Sequence, residues 1–259
     1  MIIDLSSDGH VHTHLCMHAG GTMEQYVQSA IEKGLRHMVF LEHLEEGVNY
    51  FERTWLTEED FDYYFNEGNR LKKIYGDLIE IGLGVEVGYN PQCPERILNR
   101  LATRKWDRIG LSYHFYLVPG DGSHLNFLSR KQKNINAFIS HGAEALLSHY
   151  FDTLIEAVEV IPADVLCHLD AGLRHVPHLS LNSEHHDLIE KLLNQVKESD
   201  MTLELNTSGY ASRNMPFPSL ELAQKAQKLG IPMVAGSDAH NPSQVGRYFQ
   251  RLSDDLKDI

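Results

Sequence analysis

The sequence predicts one α/β domain over residues 1–259, folded as a seven-stranded β/α barrel with its site at the carboxyl ends of the strands. The length and a hydrophobic content of 42% suit one domain of barrel size. Short apolar runs alternate with amphipathic helical stretches, which is the rhythm of a parallel sheet. Titratable side chains close all but one of these apolar runs, at the end where a barrel places its site.

The apolar runs are rich in Val, Ile and Leu and carry few interior charges, as strands covered on both faces do. The predicted strands are 4–12, 38–43, 80–87, 108–115, 164–169, 202–207 and 232–238. Residues 44–56 and 116–135 are less regular, and we expect them to form loops over the sheet.

Amphipathic helices are predicted between the strands. Thr22 and Gln25 have the spacing of a capping box, so a helix should follow Thr22. Ser183 should begin another helix, because apolar residues then recur at helical spacing. A third helix should end at Gly230, shortly before a proline.

The composition narrows the possible partners and compartment. A net charge of −13 argues against nucleic acid and anionic membranes, since both need clustered Lys and Arg. No apolar run approaches the length of a membrane span, and the first residues lack the pattern of a secretory signal. Cys16, Cys93 and Cys167 are odd in number and scattered, so we expect no disulfide framework and a cytoplasmic location.

Metal ligation best explains the side chains at the predicted strand ends. His10 and His12 are two residues apart on one strand, so their imidazoles point the same way and can hold one ion. Buried titratable groups in such positions are usually paired or bound to a metal. The nine candidate ligands are His10, His12, His18, His43, Glu86, His114, His168, Asp238 and His240.

The types of ligand indicate the chemistry. Imidazole and carboxylate without thiolate suit Zn, Fe or Mn, and a carboxylate such as Glu86 can bridge two ions. Nine ligands are too many for one ion, and for two if positions stay open for water, so we expect three divalent ions. Two ions about 4 Å apart can hold a hydroxide between them and clamp a phosphate. Three such ions would make the site locally positive within an acidic chain. The sequence therefore predicts a metal-dependent phosphatase of a small phosphorylated metabolite.

This order of residues resembles the polymerase-and-histidinol-phosphatase (PHP) superfamily, and within it most closely the histidinol-phosphatase branch. The resemblance runs from Asp8 to about Val245. It implies a distorted, TIM-like (β/α)7 barrel with up to three metals. It also implies L-histidinol phosphate, of histidine biosynthesis, as the leading substrate. The strongest stretches are Asp8-Gly9-His10-Val11-His12-Thr13 with Cys16-Met17-His18-Ala19, Leu203-Glu204-Leu205-Asn206-Thr207-Ser208-Gly209, and Gly230-Ile231-Pro232 running on to Gly236-Ser237-Asp238-Ala239-His240.

The resemblance also divides the ligands among three ions. It implies one ion held by His10, His12, Glu86 and Asp238, a second by Glu86, His114 and His168, and a third by His18, His43 and His240. Since all nine positions carry a competent ligand, nothing in this set argues for an inactive enzyme.

Around the ligands the chain departs from the usual pattern of the branch. The family tends to carry a basic residue after the fifth and sixth strands, which makes Arg174 and Arg213 candidates to bind the phosphate. We expect catalysis to depend on these two arginines together with Glu86, Asp238 and His240. Asp170, two residues after a ligand, is a candidate to orient an imidazole.

Three classes of function remain open at this stage. A small-molecule phosphatase leads, with a broader sugar or nucleotide phosphatase as its near neighbour. A metal-dependent C–N hydrolase of the amidohydrolase kind ranks below it. That class often bridges its metals with a carboxylated lysine, and here the bridging position is Glu86. A non-catalytic metal module, like the accessory PHP domains of polymerases, ranks low because no ligand is missing.

Overall fold

Seven parallel strands form the predicted sheet in a computed structural model that describes residues 3–176 and 178–258. The strands of the described chain are β1 (Ser7–Val11), β2 (His37–Glu45), β3 (Glu80–Gly88), β4 (Ile109–Ser112), β5 (Phe115–Leu117), β6 (His124–Asn126), β7 (Val165–Leu166), β8 (Thr202–Asn206) and β9 (Met233–Gly236). The order in the seven-stranded sheet is β1-β2-β3-β4-β7-β8-β9, and each pair is parallel. Strands β5 and β6 form a separate antiparallel hairpin.

The sheet closes on itself through its first and last strands. Val11 forms a parallel bridge with Ala239. The amide of His12 donates to the carbonyl of Ala239, and the amide of Asp238 donates to the carbonyl of His10, both at 2.9 Å. The predicted β/α barrel is therefore confirmed, and these bonds bring β1 and β9 together at the carboxyl end.

Helices connect the strands and cover the outside of the barrel. Nothing in the described part of the chain forms a helix that is both long enough and apolar enough to cross a membrane. The helices are α1 (Met23–Glu32), α2 (Glu58–Tyr75), α3 (Pro94–Leu101), α4 (Gln132–Ser140), α5 (Ala143–Val160), α6 (Ser183–Glu198), α7 (Gly209–Arg213), α8 (Leu220–Leu229) and α9 (Phe249–Asp255).

The predicted helix ends are largely confirmed. Thr22 is the N-cap of α1, and its side chain and that of Gln25 form the predicted capping box. The N-cap of α6 is Asn182, so Ser183 is the first helical residue and does not cap the helix. Gly230 ends α8 with φ +81°, a conformation that glycine adopts without strain.

Both segments that were expected to be loops contain regular structure. Strand β2 continues to Glu45, two residues into the segment expected to be a loop, because it stays paired with β3 as far as Gly88. The segment 116–135 contains most of a β5–β6 hairpin and the start of α4, so it is not a simple loop. Both segments lie beside the carboxyl end of the barrel, where they can shape access to the site.

The inside of the barrel is apolar below the site. Val39 and Leu41 are alternate residues of β2 and point into the barrel, because side chains two apart on a strand lie on the same face. Gly110 makes room for this layer, because a Cβ there would lie 2.8 Å from both Cys167 and Leu41. The layer consists of Val39, Leu41, Val165 and Cys167, with Val234 packed against it.

Candidate metal centre

All nine predicted ligands lie at the carboxyl end of the barrel. Because the strands are parallel, their ends bring together side chains that are far apart in sequence. His10 is on β1, His43 on β2 and Glu86 on β3; His12, His114, His168, Asp238 and His240 follow β1, β4, β7, β9 and β9, and His18 follows a short turn after β1.

Glu86 lies at the centre of the cluster, and its side chain is buried. Imidazoles from five different positions surround its carboxylate. Oε1 lies 2.8 Å from His168 Nε2 and 3.2 Å from His114 Nε2, while Oε2 lies 2.9 Å from His43 Nδ1, 3.4 Å from His10 Nε2 and 3.6 Å from His12 Nε2. Because imidazoles that could bind metal lie near both of its oxygens, this carboxylate could bridge two cations.

The tautomers of two histidines show that cations fit this cluster. His10 Nδ1 lies 2.7 Å from Glu204, and His114 Nδ1 lies 2.7 Å from Glu45. Only a protonated Nδ1 can donate to a carboxylate, so a neutral ring keeps a lone pair on Nε2. His10 Nε2 then faces His12 Nε2 at 3.0 Å, a distance at which a proton or a metal ion must lie between the two nitrogens.

The pKa values of the buried groups also indicate that positive charge stabilises the cluster of carboxylates. Burial lowers the pKa of His114, but the carboxylates of Glu86 and Glu45 outweigh it and raise the value to about 10. Burial raises the pKa of Glu86, yet His114, His10 and His43 hold it well below the usual range. Without metal, protons on the imidazoles therefore balance the carboxylates, and metal ions would displace those protons.

His18 and His240 form an outer part of the cluster. His18 Nδ1 lies 2.8 Å from the carbonyl of Cys16, and His240 Nδ1 lies 3.1 Å from the carbonyl of Asp238. Both rings therefore donate through Nδ1 and keep Nε2 for another partner. Their centroids are 4.5 Å apart, and that of His43 is 5.4 Å from His18. Burial lowers the pKa of His18 and of His240, which keeps both rings neutral and able to bind a cation.

The two predicted phosphate-binding arginines have different surroundings. Arg174 donates through Nη2 to Ser208 Oγ at 2.9 Å and to Asp238 Oδ2 at 3.1 Å, so it lies beside the cluster. Its Nε is buried without a partner among the described residues. Arg213 instead donates to the carbonyls of Val176 and Leu179, at 3.1 and 3.3 Å. Of the two, Arg174 has the direct contact with a predicted ligand.

Two of the predicted ligands have an unusual backbone conformation. His168 has φ +27° and Asp238 has φ +51°, in the left-handed region that non-glycine residues rarely adopt. Arg247 donates to the carbonyls of Ser237 and Asp238, at 2.8 and 2.9 Å. It thereby supports the turn that carries the Asp238 carboxylate into the site.

Several residues of this centre escaped the sequence analysis. The loop predicted over 44–56 includes Glu45, which in the structure lies two residues after His43 on the same strand. Glu204 is a charge inside an otherwise apolar strand, a signal that was present in the sequence. Arg247 gave no such signal. Asp170 does not orient an imidazole in the described structure; it accepts a bond from the amide of Ser219.

Comparison with known proteins places the chain in a family. The PHP domain model matches residues 8–208, and a PHP-associated model matches 221–259. The chain belongs to the PHP domain family. Asp238 and His240 come from the second matched segment of this PHP protein, while the other predicted ligands come from the first, so both segments build one centre.

Several proteins similar to this PHP protein are named as histidinol phosphatases. The histidinol-phosphatase of Bacillus subtilis is 27% identical, over 94% of this chain and 96% of its own. A Listeria monocytogenes structure, named as a hisK histidinol phosphatase, superposes with a TM-score of 0.82 at 23% identity, over 95% of this chain and 99% of its own.

A Lactococcus lactis histidinol phosphate phosphatase, solved in complex with zinc, L-histidinol and phosphate, superposes with a TM-score of 0.73 at 20% identity. That match covers 96% of this chain and 92% of the other. The two solved structures share the fold of this chain. The family match and the similarity to the Bacillus subtilis enzyme identify the chain as a phosphatase, a phosphoric monoester hydrolase.

Proposed function

We propose that this PHP phosphatase hydrolyses L-histidinol phosphate to L-histidinol and phosphate with three divalent ions, Zn, Fe or Mn, at the carboxyl end of the barrel. The observation that carries the proposal is the convergence of five imidazoles on the two oxygens of Glu86. The relative that binds zinc, L-histidinol and phosphate supports both the metal and the leaving group. We place this reaction in the cytoplasm.

The residues divide naturally among three cations. His10, His12, Glu86 and Asp238 would hold the first; Glu86, His114 and His168 the second; and His18, His43 and His240 the third. The 3.3 Å distance between His12 Nε2 and Asp238 Oδ1 supports the first group. When bound, the ions supply Lewis acidity, neutralise phosphate charge and provide the water-derived nucleophile for attack at phosphorus.

The protein's own residues prepare the site for this reaction. Glu86 and Asp238 remain carboxylates, because neighbouring positive groups hold their pKa values well below the usual range despite burial. Burial is the main cause that lowers the pKa of His43 and of His240, and repulsion from His12 lowers both values further. These rings therefore stay neutral.

Arg174 would contact the phosphate. The Arg174 side chain is 16% exposed, so its guanidinium can donate to a phosphate oxygen while Nη2 stays bound to Asp238. A guanidinium is permanently charged and fork-shaped, so it stabilises the charge that develops on the phosphoryl oxygens. Arg213 is a second candidate, which would need to leave its two carbonyl partners to reach the substrate.

The test is release of inorganic phosphate from a panel of esters, beside metal analysis of the protein as purified. L-Histidinol phosphate should exceed sugar and nucleotide phosphates in kcat/KM by about 100-fold or more. Similar rates across the panel would indicate the broader phosphatase. Hydrolysis of a cyclic amide, with no phosphate released from any ester, would instead support the C–N hydrolase.

A further inference from the structure

Two buried carboxylates lie directly behind the predicted ligands. Glu204 Oε1 is 2.7 Å from His10 Nδ1, and Glu45 Oε1 is 2.7 Å from His114 Nδ1. The exposed fractions of Glu204 and Glu45 are only 2% and 4%, so neither carboxylate can exchange its partner for water. Each one contacts the ring nitrogen that faces away from Glu86.

Glu204 also connects parts of the barrel that are distant in sequence. Its second oxygen accepts a bond from the backbone amide of His168 at 2.9 Å and another from Asn206 Nδ2 at 3.1 Å. His168 is a predicted ligand whose backbone lies in the left-handed region. One carboxylate therefore sets the ring of His10 and the backbone of His168 at the same time.

Glycines on the neighbouring strands make the space for both carboxylates. A Cβ at Gly236 would lie 2.0 Å from Glu204 Oε1 and 2.8 Å from the Cβ of His10. A Cβ at Gly88 would lie 2.0 Å from Glu45 Oε1. Both distances are far below van der Waals contact, so no other residue at either position would leave its carboxylate in place. The same arrangement at two separate points of the barrel indicates a common role.

We propose that Glu204 and Glu45 are positioning residues. They hold His10 and His114 with hydrogen on Nδ1 and the lone pair of Nε2 directed at the cations. The inference rests on the proposed metal centre. Such outer carboxylates fix the tautomer and orientation of a ligand and raise its basicity. Since His10 and His114 belong to different groups of ligands, the two carboxylates should act on different ions.

The test uses zinc affinity, measured by competition with a chromogenic chelator, and zinc content of the purified variants. Glu204→Gln and Glu45→Gln should each weaken binding by about 10- to 100-fold at one site, because an amide is a weaker and ambiguous partner for Nδ1. Glu46→Gln is the matched control. Glu46 is also buried, but its Oε1 pairs with Arg100 at 2.8 Å and not with a ligand. Its variant should bind zinc like the parent.

The glycines provide a second route to the same effect. Gly88→Ala should lower zinc affinity as Glu45→Gln does, although the carboxylate itself is unchanged. Gly84→Ala is its control on the same strand. A Cβ at Gly84 would meet the carbonyl of Arg108 at 2.6 Å, a clash that does not involve Glu45. Gly84→Ala should therefore lower thermal stability without the specific loss of zinc.

The results separate this inference from the proposed function. Glutamine variants that bind zinc within about threefold of the parent overturn the positioning role. Equal losses in the Glu46→Gln control overturn it as well, since they indicate a general structural effect. If the glutamine variants do not fold, nitrogen-15 NMR of the zinc-loaded parent decides, and hydrogen on Nε2 of His10 or His114 refutes the role. A parent that binds no zinc overturns the proposed centre, and this inference with it.

Discussion

Glu86→Gln tests the proposed centre most directly. The substitution keeps the shape of the side chain but removes the charge that five imidazoles surround within 3.6 Å. Because Glu86 would bridge two cations, we expect both to be lost, so that metal content falls from three ions per chain to one. Loss of that electrostatic contribution should lower kcat by about 10³-fold, or about 4 kcal/mol in the barrier.

The assay combines elemental analysis with phosphate release, and thermal unfolding of the metal-free protein checks that the variant folds. Removing one partner of a buried charged cluster should also destabilise the metal-free protein by about 3–5 kcal/mol. Glu46→Gln removes a buried carboxylate from outside the centre and should keep both metal and activity. A Glu86→Gln variant with three ions and more than about a tenth of the parental kcat would refute the reasoning.

Four further predictions follow from the same structure. Arg174→Ala should lower kcat/KM for phosphate esters by about 100-fold with normal metal content, while parental kinetics would exclude contact with the phosphate. Arg213→Ala should raise KM, again with normal metal content, and an unchanged KM would remove it from the site. The zinc-induced rise in Tm should grow from about pH 6 to about pH 9, because raised pKa values keep His10 and His114 protonated without metal. That protonation stabilises the metal-free fold at low pH, and its contribution is lost as pH rises through the raised pKa values. A zinc-induced rise in Tm that shrinks with increasing pH would therefore contradict the assignment of His10 and His114 as metal ligands. Leu41→Ala should cost about 2–5 kcal/mol by opening a cavity below the centre, and calorimetry showing less than about 1 kcal/mol would argue against a tightly packed layer.

The barrel could be predicted because its signals are local. Each parallel strand buried on both faces appears as a short apolar run, and each intervening helix shows its own periodicity and caps. The clustering of the candidate ligands could be predicted for a related reason. Parallel strands bring their carboxyl ends together, so His43 and Glu86 meet without any need to know the detailed packing.

The parts that escaped prediction depend on three-dimensional detail. The hydrogen bond between Glu204 and His10 joins residues 194 positions apart, and no local pattern encodes that distance. Strand β2 extends to Glu45 because of pairing with β3, not because of an apolar run. The surroundings of Arg213 depend on a loop conformation that composition does not specify. The types and positions of the side chains therefore predicted which residues cluster, while the hydrogen-bond partners of each side chain could be read only from the three-dimensional structure.

The acidity of the chain is compatible with its proposed anionic substrate, because bound cations would set the charge of the proposed centre. Burial of so many carboxylates around one point would repel a phosphate dianion, and two arginines alone cannot reverse that field. Protonated imidazoles balance the charge without metal, but the same protons occupy the lone pairs that would bind it. Three divalent ions would release these protons and leave the pocket positive, within a chain whose net charge is −13. The binding of phosphate should then require prior binding of metal, since the protein supplies mainly negative groups at this point. The carboxylates around this point are Glu45, Glu86, Glu204 and Asp238, together with Glu42, whose Oε2 lies 3.7 Å from His12 Nδ1; the arginines are Arg174 and Arg247.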